Sequence, residues 1–419
     1  VILDEAILAA TVDDYRHLHR HPELSGQEFS TREYLRECLA GMGLEIDDCS
    51  PTGLVVRLVN GPGPIVAYRA DMDGLPLTEL TGLEYASVAE SKEAGGTGTV
   101  GVMHACGHDL HMSIAIALIR HLDLNRESWS GTLAVIFQPA EETAAGARSM
   151  IEDDVWAKVG QPSIIFAQHA WPAPVGTVEV VPGDFMAMAD SFEVSVAGRG
   201  GHSSQPETTI DPVVLAAHMI VRLQTVVSRR IAPLDAAVLT VAYIRAGAKE
   251  NVIADSAIFG LNLRYFDHQV RKVVLDAINQ VLEGEALASG APAPSMRVLN
   301  SFPLLRNDIG ETERLAEMFE GIVGAGNVTR GTQKLGSEDF GHFGESASAP
   351  QVYWLLGAQG ESSQSQATER PGLHSPHFAP EPIGAIRAGT LLATTACLSY
   401  LDGPKANQDR TPHASSEGK

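Results

Sequence analysis

Apolar side chains recur at helical spacing from the start of the chain. Ile7, Leu8, Val12, Tyr15 and Leu18 mark a helix over 4–19, and Pro22 bars its continuation. Ser25-Gly-Gln-Glu28 has the form of a capping box opening a second helix, which Gly41 and Gly43 close. The histidines at this junction, His17, His19 and His21, are expected to cap the helix end or face solvent. Two strand-like runs follow at 54–59 and 65–69, and the second delivers Asp71 and Asp73 just past its end. A flexible glycine-rich loop is expected over 91–101. It contains a formal G-x-G-x-x-G from Gly96 to Gly101, but no strand precedes it, so the nucleotide-binding reading is rejected.

The pattern continues as alternating helices and strands. A helix follows the stretch His104-Ala-Cys-Gly-His-Asp-Leu-His111 and reaches about Leu124. A strand at 132–137 runs into Gln138-Pro-Ala-Glu-Glu142, a helix starts at Gly146, and a strand at 164–168 ends at His169. Asp71, Asp73, Glu141, Glu142 and His169 are thus all expected just past the C-terminal ends of strands, the edge where open α/β sheets bind ligands. From about Asp184 the order changes to strand 191–197, helix 212–228, strands 237–245 and 257–265, helix 269–287 and strand 295–299. That β-α-β-β-α-β order is the one of a ferredoxin-like unit. The first pattern then resumes with a helix near 309–323, a strand at 352–356 and a helix at 383–401.

The expected organisation is therefore an α/β sheet domain in two parts, 1–183 and 300–401, with an inserted lid-like domain over 184–299. A polar tail at 402–419, with two prolines and no periodicity, is expected to be disordered.

The chemistry concentrates at few positions. A thiolate and a neutral imidazole are both good ligands for zinc and similar ions, and Cys106 and His108 stand two apart. Glu142, His169 and His374 are the further candidates. Five donors suffice for two ions about 3.5–4 Å apart sharing a bridging ligand, with Cys106 a plausible bridge. In an extended segment Glu141 and Glu142 point opposite ways, so one could bind metal while the other acts as general base. Other readings stay open: an acidic pair capping a helix at Thr143, or a Cys106 nucleophile activated by His108. His104, His111 and His377 are close enough in sequence to hold ligand imidazoles in one tautomer, or to be structural.

Composition narrows the partners. The 30 Lys+Arg and 52 Asp+Glu among 419 residues leave a net charge of −22, which argues against nucleic acid or an anionic membrane as partner. No run approaches 18 apolar residues, so no membrane span is expected. Four scattered cysteines, Cys38, Cys49, Cys106 and Cys397, suit a reducing compartment, and no signal peptide is visible, so a cytoplasmic protein is expected.

Taken in order, several motifs resemble one family. They are His21-Pro-Glu-Leu-Ser25, Arg69-Ala-Asp-Met-Asp-Gly-Leu-Pro76, Met103-His-Ala-Cys-Gly-His-Asp-Leu-His111, Gln138-Pro-Ala-Glu-Glu142, Gln168-His169, Gly200-Gly-His-Ser203, Gly336-Ser-Glu-Asp-Phe340 and His374-Ser-Pro-His-Phe378. The chain resembles the aminoacylase/carboxypeptidase metallopeptidases, peptidase family M20. Within it, the likeness is to the amidohydrolase branch of N-acyl-amino-acid and indole-acetyl-amino-acid hydrolases. The resemblance implies a catalytic α/β domain of the zinc-exopeptidase type, with an inserted ferredoxin-like lid and dimerisation domain through which a homodimer forms.

It also implies roles. Cys106, His108, Glu142, His169 and His374 would hold two divalent ions, zinc or manganese, with cobalt or nickel as alternatives. Glu141 would be the general base and acid, and His202 would stabilise the oxyanion, often across subunits. Asn251 would contact substrate, although Asn251-Val-Ile-Ala254 departs from the usual Asn-x-Ile-Pro. Asp73 matches an aspartate that orients a metal ligand. The implied reaction cleaves an N-acyl amino acid to a carboxylic acid and a free amino acid through a metal-bridged water. A dipeptidase or carboxypeptidase, a cysteine-nucleophile amidase and a non-catalytic metal-binding protein are the competing readings.

Overall fold

Residues 2–92, 98–360 and 370–401 are described by the structure, a computed structural model. The expected disordered tail at 402–419, and part of the glycine-rich stretch, lie outside them. The chain divides into two units. One is Val1–Gly183 with Asn307–Gly331 and His342–Lys419, and the other is Asp184–Arg306 with Thr332–Gly341.

The first unit opens with α1 (Glu5–Arg20), whose N-cap Asp4 accepts from the Ala6 and Ile7 N–H groups, and α2 (Phe29–Cys38). Then come β1 (Glu45–Cys49), β2 (Gly53–Asn60), β3 (Ile65–Asp71), β4 (Glu90–Lys92), β5 (Thr99–Gly101) and α3 (His108–Leu124). They are followed by β6 (Gly131–Gln138), α4 (Gly146–Glu152), α5 (Val155–Val159), β7 (Ile164–Pro174) and β8 (Val178–Val180). The second unit carries β9 (Gly183–Met186), β10 (Met188–Ala197), β11 (Gly201–His202), α6 (Pro212–Arg230), β12 (Ala237–Ala246) and β13 (Val252–Ile253). It continues with β14 (Ser256–Tyr265), α7 (His268–Ala288), β15 (Ser295–Phe302) and β16 (Leu305–Asn307). The first unit then resumes with α8 (Ile309–Val323), β17 (Val328–Arg330), α9 (Gly341–Ala347), β18 (Gln351–Gln359) and α10 (Pro382–Leu401).

An eight-stranded sheet in the order β1-β2-β6-β3-β7-β18-β8-β17 forms the first unit's centre. Its middle strands β6, β3, β7 and β18 are mutually parallel, β2 runs against both β1 and β6, and β8 runs against β18 but parallel to β17. Every residue of β6 and β18 is buried, as expected of strands covered on both faces. Helices α1, α3 and α10 pack together over this sheet, with Tyr15, Leu18, Ile114, Leu118, Leu392 and Ala396 in one core with Phe166 and Trp354. The run 112–119 of α3 is free of charge and α10 carries only Arg387, which suits helices buried within that layer.

In the second unit a four-stranded antiparallel sheet, β12-β14-β10-β15, shares its core with α6 and α7. Chain order and strand order are those of a ferredoxin-like unit. Asp211 and Asp267 cap the two helices through their side chains.

The structure departs from the sequence reading of the elements at several places. The capping box does not form: Glu28 makes no side-chain cap to α2 but accepts from Gly26 N–H, Ala140 N–H and the Thr52 hydroxyl. The described part of 91–101 is the hairpin strands β4 and β5 rather than a loop. Strand β1, charged and mostly exposed, gave no apolar signal because it lies at the sheet edge. His169 lies inside β7, although beyond the last residue that pairs with β3, which is Ala167.

Phe166 is fully buried on β7, edge-on to Trp354 and Tyr400. Phe166→Ala is expected to destabilise the first unit by about 3–5 kcal/mol, read as a lower denaturant midpoint by circular dichroism. An unchanged midpoint would contradict this packing.

Candidate metal centre

Local geometry starts at Gly107. It precedes α3 with φ +83, and a Cβ there would stand 2.7 Å from the Ala170 Cβ. Glycine therefore lets the chain turn between Cys106 and His108 while α3 lies against β7. Cys106 Sγ comes 3.4 Å from His169 Nε2. His169 Nδ1 donates to the Ala170 carbonyl at 2.7 Å, which leaves Nε2 with its lone pair free to bind. His374, at φ +61 in a turn, is anchored by its N–H on the Ala105 carbonyl, and its Nε2 lies 3.2 Å from Glu142 Oε1.

All five predicted ligands are thereby brought together. Donor atoms of Cys106, Glu142 and His374 lie within 4.8 Å of one another, as do those of His108, Glu141 and Glu142. Asp71, His108, His111 and His169 form a third such group. Glu142 links the first group to the second and His108 the second to the third.

The two glutamates do not diverge as an extended segment would make them. Residues 141–144 form a turn that begins with Ala140 at φ +51, and both carboxylates approach His108. Two buried carboxylates hold that turn by its backbone. Glu28 accepts from Ala140 N–H at 2.8 Å, and Asp73 accepts from Glu141 and Glu142 N–H at 3.1 Å each. Ser25 Oγ also donates to Asp73, at 2.6 Å. Gly146 permits the tight return, because a Cβ there would sit 1.6 Å from the Pro139 oxygen.

Charge explains the electrostatics. Burial opposes a charge on His108, yet the carboxylates of Asp71, Asp73 and Glu142 outweigh it and hold the imidazole up to about 10. Burial and the neighbouring imidazoles of His111 and His108 keep His169 well below the usual histidine range, so it is neutral. Burial, with the carboxylates of Glu142, Glu141 and Asp71, pushes the Cys106 thiol far up. The Asp71 carboxyl is held well down against the cost of its burial by Arg69, His108 and His111.

Neither ring nitrogen of His108 makes a hydrogen bond, although Nδ1 is 3.3 Å from Asp73 Oδ1 and Nε2 is 3.6 Å from Asp71 Oδ2. A buried, unbonded imidazole beside a thiol and several carboxylates is a donor set suited to a cation.

The supporting residues take definite places. His111 donates from Nδ1 to Asp71 at 2.5 Å and accepts the Ala170 N–H at Nε2. It thus fixes the backbone next to His169 instead of binding a ligand imidazole directly. His104 is buried with both ring nitrogens unbonded, and burial lowers its pKa to about 4. His377 donates from Nδ1 to the Leu80 carbonyl. His19 overturns its reading as a cap or solvent-facing residue: it is buried between two carboxylates.

His202 and Asn251 belong to the second unit. There β11 pairs with β13, and the Ser203 N–H donates to the Asn251 carbonyl, so the two residues are neighbours. His202 Nδ1 accepts from the Ser204 N–H at 3.2 Å, leaving Nε2 as the protonated nitrogen.

Sequence reasoning gave Glu28 only a capping role and Asp71 only a place at the strand-end edge. For Asp71 a signal existed: Arg69 and Asp71 alternate on one strand face and bond at 2.7 Å.

Comparisons with known proteins find relatives in sequence and in structure. The chain is 37% identical to N-acetylcysteine deacetylase of Bacillus subtilis (strain 168), over 85% of this chain and 90% of that protein. It is 36% identical to N-acetyldiaminopimelate deacetylase of Halalkalibacterium halodurans, over 82% and 90% of the two chains. A Bacillus subtilis structure described as a dinuclear metal binding peptidase of the M20 family superposes with a TM-score of 0.74. The two are 31% identical, with 95% of this chain and 99% of that chain covered. The profile of peptidase family M20/M25/M40 matches residues 67–381. Family match, sheet and side-chain cluster coincide, and the chain belongs to peptidase family M20/M25/M40.

Proposed function

We propose that the protein is a metal-dependent amidohydrolase that cleaves N-acyl amino acids to a carboxylic acid and a free amino acid. The observation that carries this reading is the convergence of Glu141 with Cys106, His108, Glu142, His169 and His374 at one sheet edge. It is joined by the likeness to two deacetylases of N-acetylated amino acids.

Cys106, His108, Glu142, His169 and His374 would hold two divalent ions, with Cys106 and its sulfur lone pairs as the shared ligand. The thiol favours zinc, and the mixed nitrogen, oxygen and sulfur set also accommodates manganese, cobalt or nickel. When bound, such ions polarise a carbonyl and acidify water. Glu141 takes a proton from the attacking water at its carboxylate and hands it to the departing amine nitrogen. Asp73 and Glu28 keep that carboxylate in place through the backbone of its turn. His202 presents Nε2–H as a donor to the oxyanion, a contribution of order 3 kcal/mol to the barrier, and Asn251 beside it contacts substrate.

A Cys106 nucleophile fits less well. For the version in which His108 activates it, burial and the carboxylates of Glu142, Glu141 and Asp71 push the thiol up and so disfavour the thiolate. A dipeptidase or carboxypeptidase would share every metal ligand and differ only in its substrate contacts.

The homodimer would form through the second unit. Strand β12 is the outer strand of its sheet, and Val213, Val214 and Val221 of α6 with Ile244 of β12 are exposed. An open strand edge beside apolar side chains suits a second copy. Among the described residues no helix is long and apolar enough to cross a membrane, and all four cysteines are free, which supports a cytoplasmic setting.

Glu141→Gln is expected to retain bound metal and lose turnover by at least a hundredfold on N-acetyl amino acids. Wild-type-like turnover would remove the base assignment. Chelator should abolish wild-type activity and added divalent metal restore it, with N-acyl amino acids preferred over dipeptides in a substrate panel. Activity persisting in chelator would instead favour the thiol. Sedimentation velocity should give twice the chain mass, and a fully active monomer would overturn the dimer.

A further inference from the structure

His19 closes α1 inside the protein, and both of its ring nitrogens meet carboxylates. Nδ1 is 2.6 Å from Asp109 Oδ2, Nε2 is 3.1 Å from Glu79 Oε1, and all three side chains are fully buried. An imidazole that serves two carboxylates donates from both nitrogens and is therefore a cation. Burial opposes that charge, but the two hydrogen-bonded carboxylates raise the His19 pKa to about 9. Tyr15 and Tyr85 wall the ring, at 5.6 and 5.2 Å between centroids.

The two carboxylates belong to segments that lead to two different candidate ligands, His108 and His374. Asp109 is the second residue of α3, directly after His108, and its other oxygen receives the Leu110 N–H. Glu79 precedes Leu80, whose N–H donates to the Pro376 carbonyl and whose own carbonyl accepts from His377 Nδ1. Those bonds hold the 374–378 turn, where His374 stands half-exposed and outside any helix or strand. Glu79 is itself restrained by the Ser87 N–H at 2.6 Å.

We infer that His19 is a positioning residue of the metal centre: bridging Asp109 and Glu79, it registers the start of α3, with His108, against the segment that carries the His374 turn. This rests on the metal-centre reading above. His19 touches neither substrate nor a predicted ligand, so its effect passes through His108 and His374. Removing it leaves two buried carboxylates facing one another, which must separate or take up a proton, and the segments behind them shift.

The test is metal binding by the full-length chain, stripped of metal and titrated with zinc or manganese against a chromophoric chelator. Wild type should bind two ions, and Cys106→Ser should weaken both. His19→Gln, folded by circular dichroism, is expected to bind at least one ion about 10–100-fold more weakly. Glu79→Gln, which changes charge without size, should weaken the same ion that His374→Ala weakens. Should His19→Gln fail to fold, Glu79→Gln decides. Folded variants with wild-type affinity for both ions overturn the positioning role and leave the metal centre standing. A wild-type chain that binds no divalent ion overturns both.

Discussion

Burying negative charge is the constraint on which this structure turns. A carboxylate taken out of water costs several kcal/mol unless its oxygens find donors or cations. Glu28, Asp71, Asp73, Asp109 and Glu141 are all buried, and for four of them the partners explain the local architecture. Asp71 is held by Arg69 and His111, Asp73 by Ser25 and two backbone N–H groups, Asp109 by His19, and Glu28 by Thr52 and two backbone N–H groups. Apart from Arg69 on Asp71 and Gly26 on Glu28, each of these bonds reaches between segments distant in sequence. Satisfying the charge and assembling the site are thus one event.

The same constraint shapes the backbone. Ala140 and His374 have left-handed φ values that a non-glycine residue adopts at a cost. Both stand beside residues that carry the chemistry, and both are held by hydrogen bonds from outside their own segment: Glu28 on Ala140, the Ala105 carbonyl on His374. Strain of this kind persists where the surroundings over-determine the conformation. The turn at 140–146 then brings two adjacent glutamates to one imidazole, which no regular strand or helix would do.

Much of the architecture was legible because buried elements announce themselves by periodicity. The runs that became β3, β6, β7 and β18, and the helices α1, α3 and α10, are apolar because a sheet covered on both faces requires it. Strand β1 was illegible, since an exposed edge strand buries almost nothing and carries Glu45, Asp47 and Asp48 instead. Glu28 was misread for a related reason. Three residues after a serine and just before a helix, it matches a cap, and only the folded chain brings Ala140 close enough to compete for it.

Residue identity determined the donors: Cys106, His108, Glu141, Glu142, His169 and His374 had the right chemistry wherever the fold placed them. Their motifs, in order, also determined the family, which residues 67–381 bear out. Tertiary structure alone decided the roles of the surrounding groups. His17, His19 and His21 are indistinguishable by spacing, yet His17 and His21 are exposed and His19 is an imidazolium between Asp109 and Glu79. Protonation and hydrogen bonding depend on what lies within a few ångströms, and these neighbours are 60 and 90 residues away. Local sequence carries no record of such distances, which is why candidate donors could be read and most of the groups around them could not.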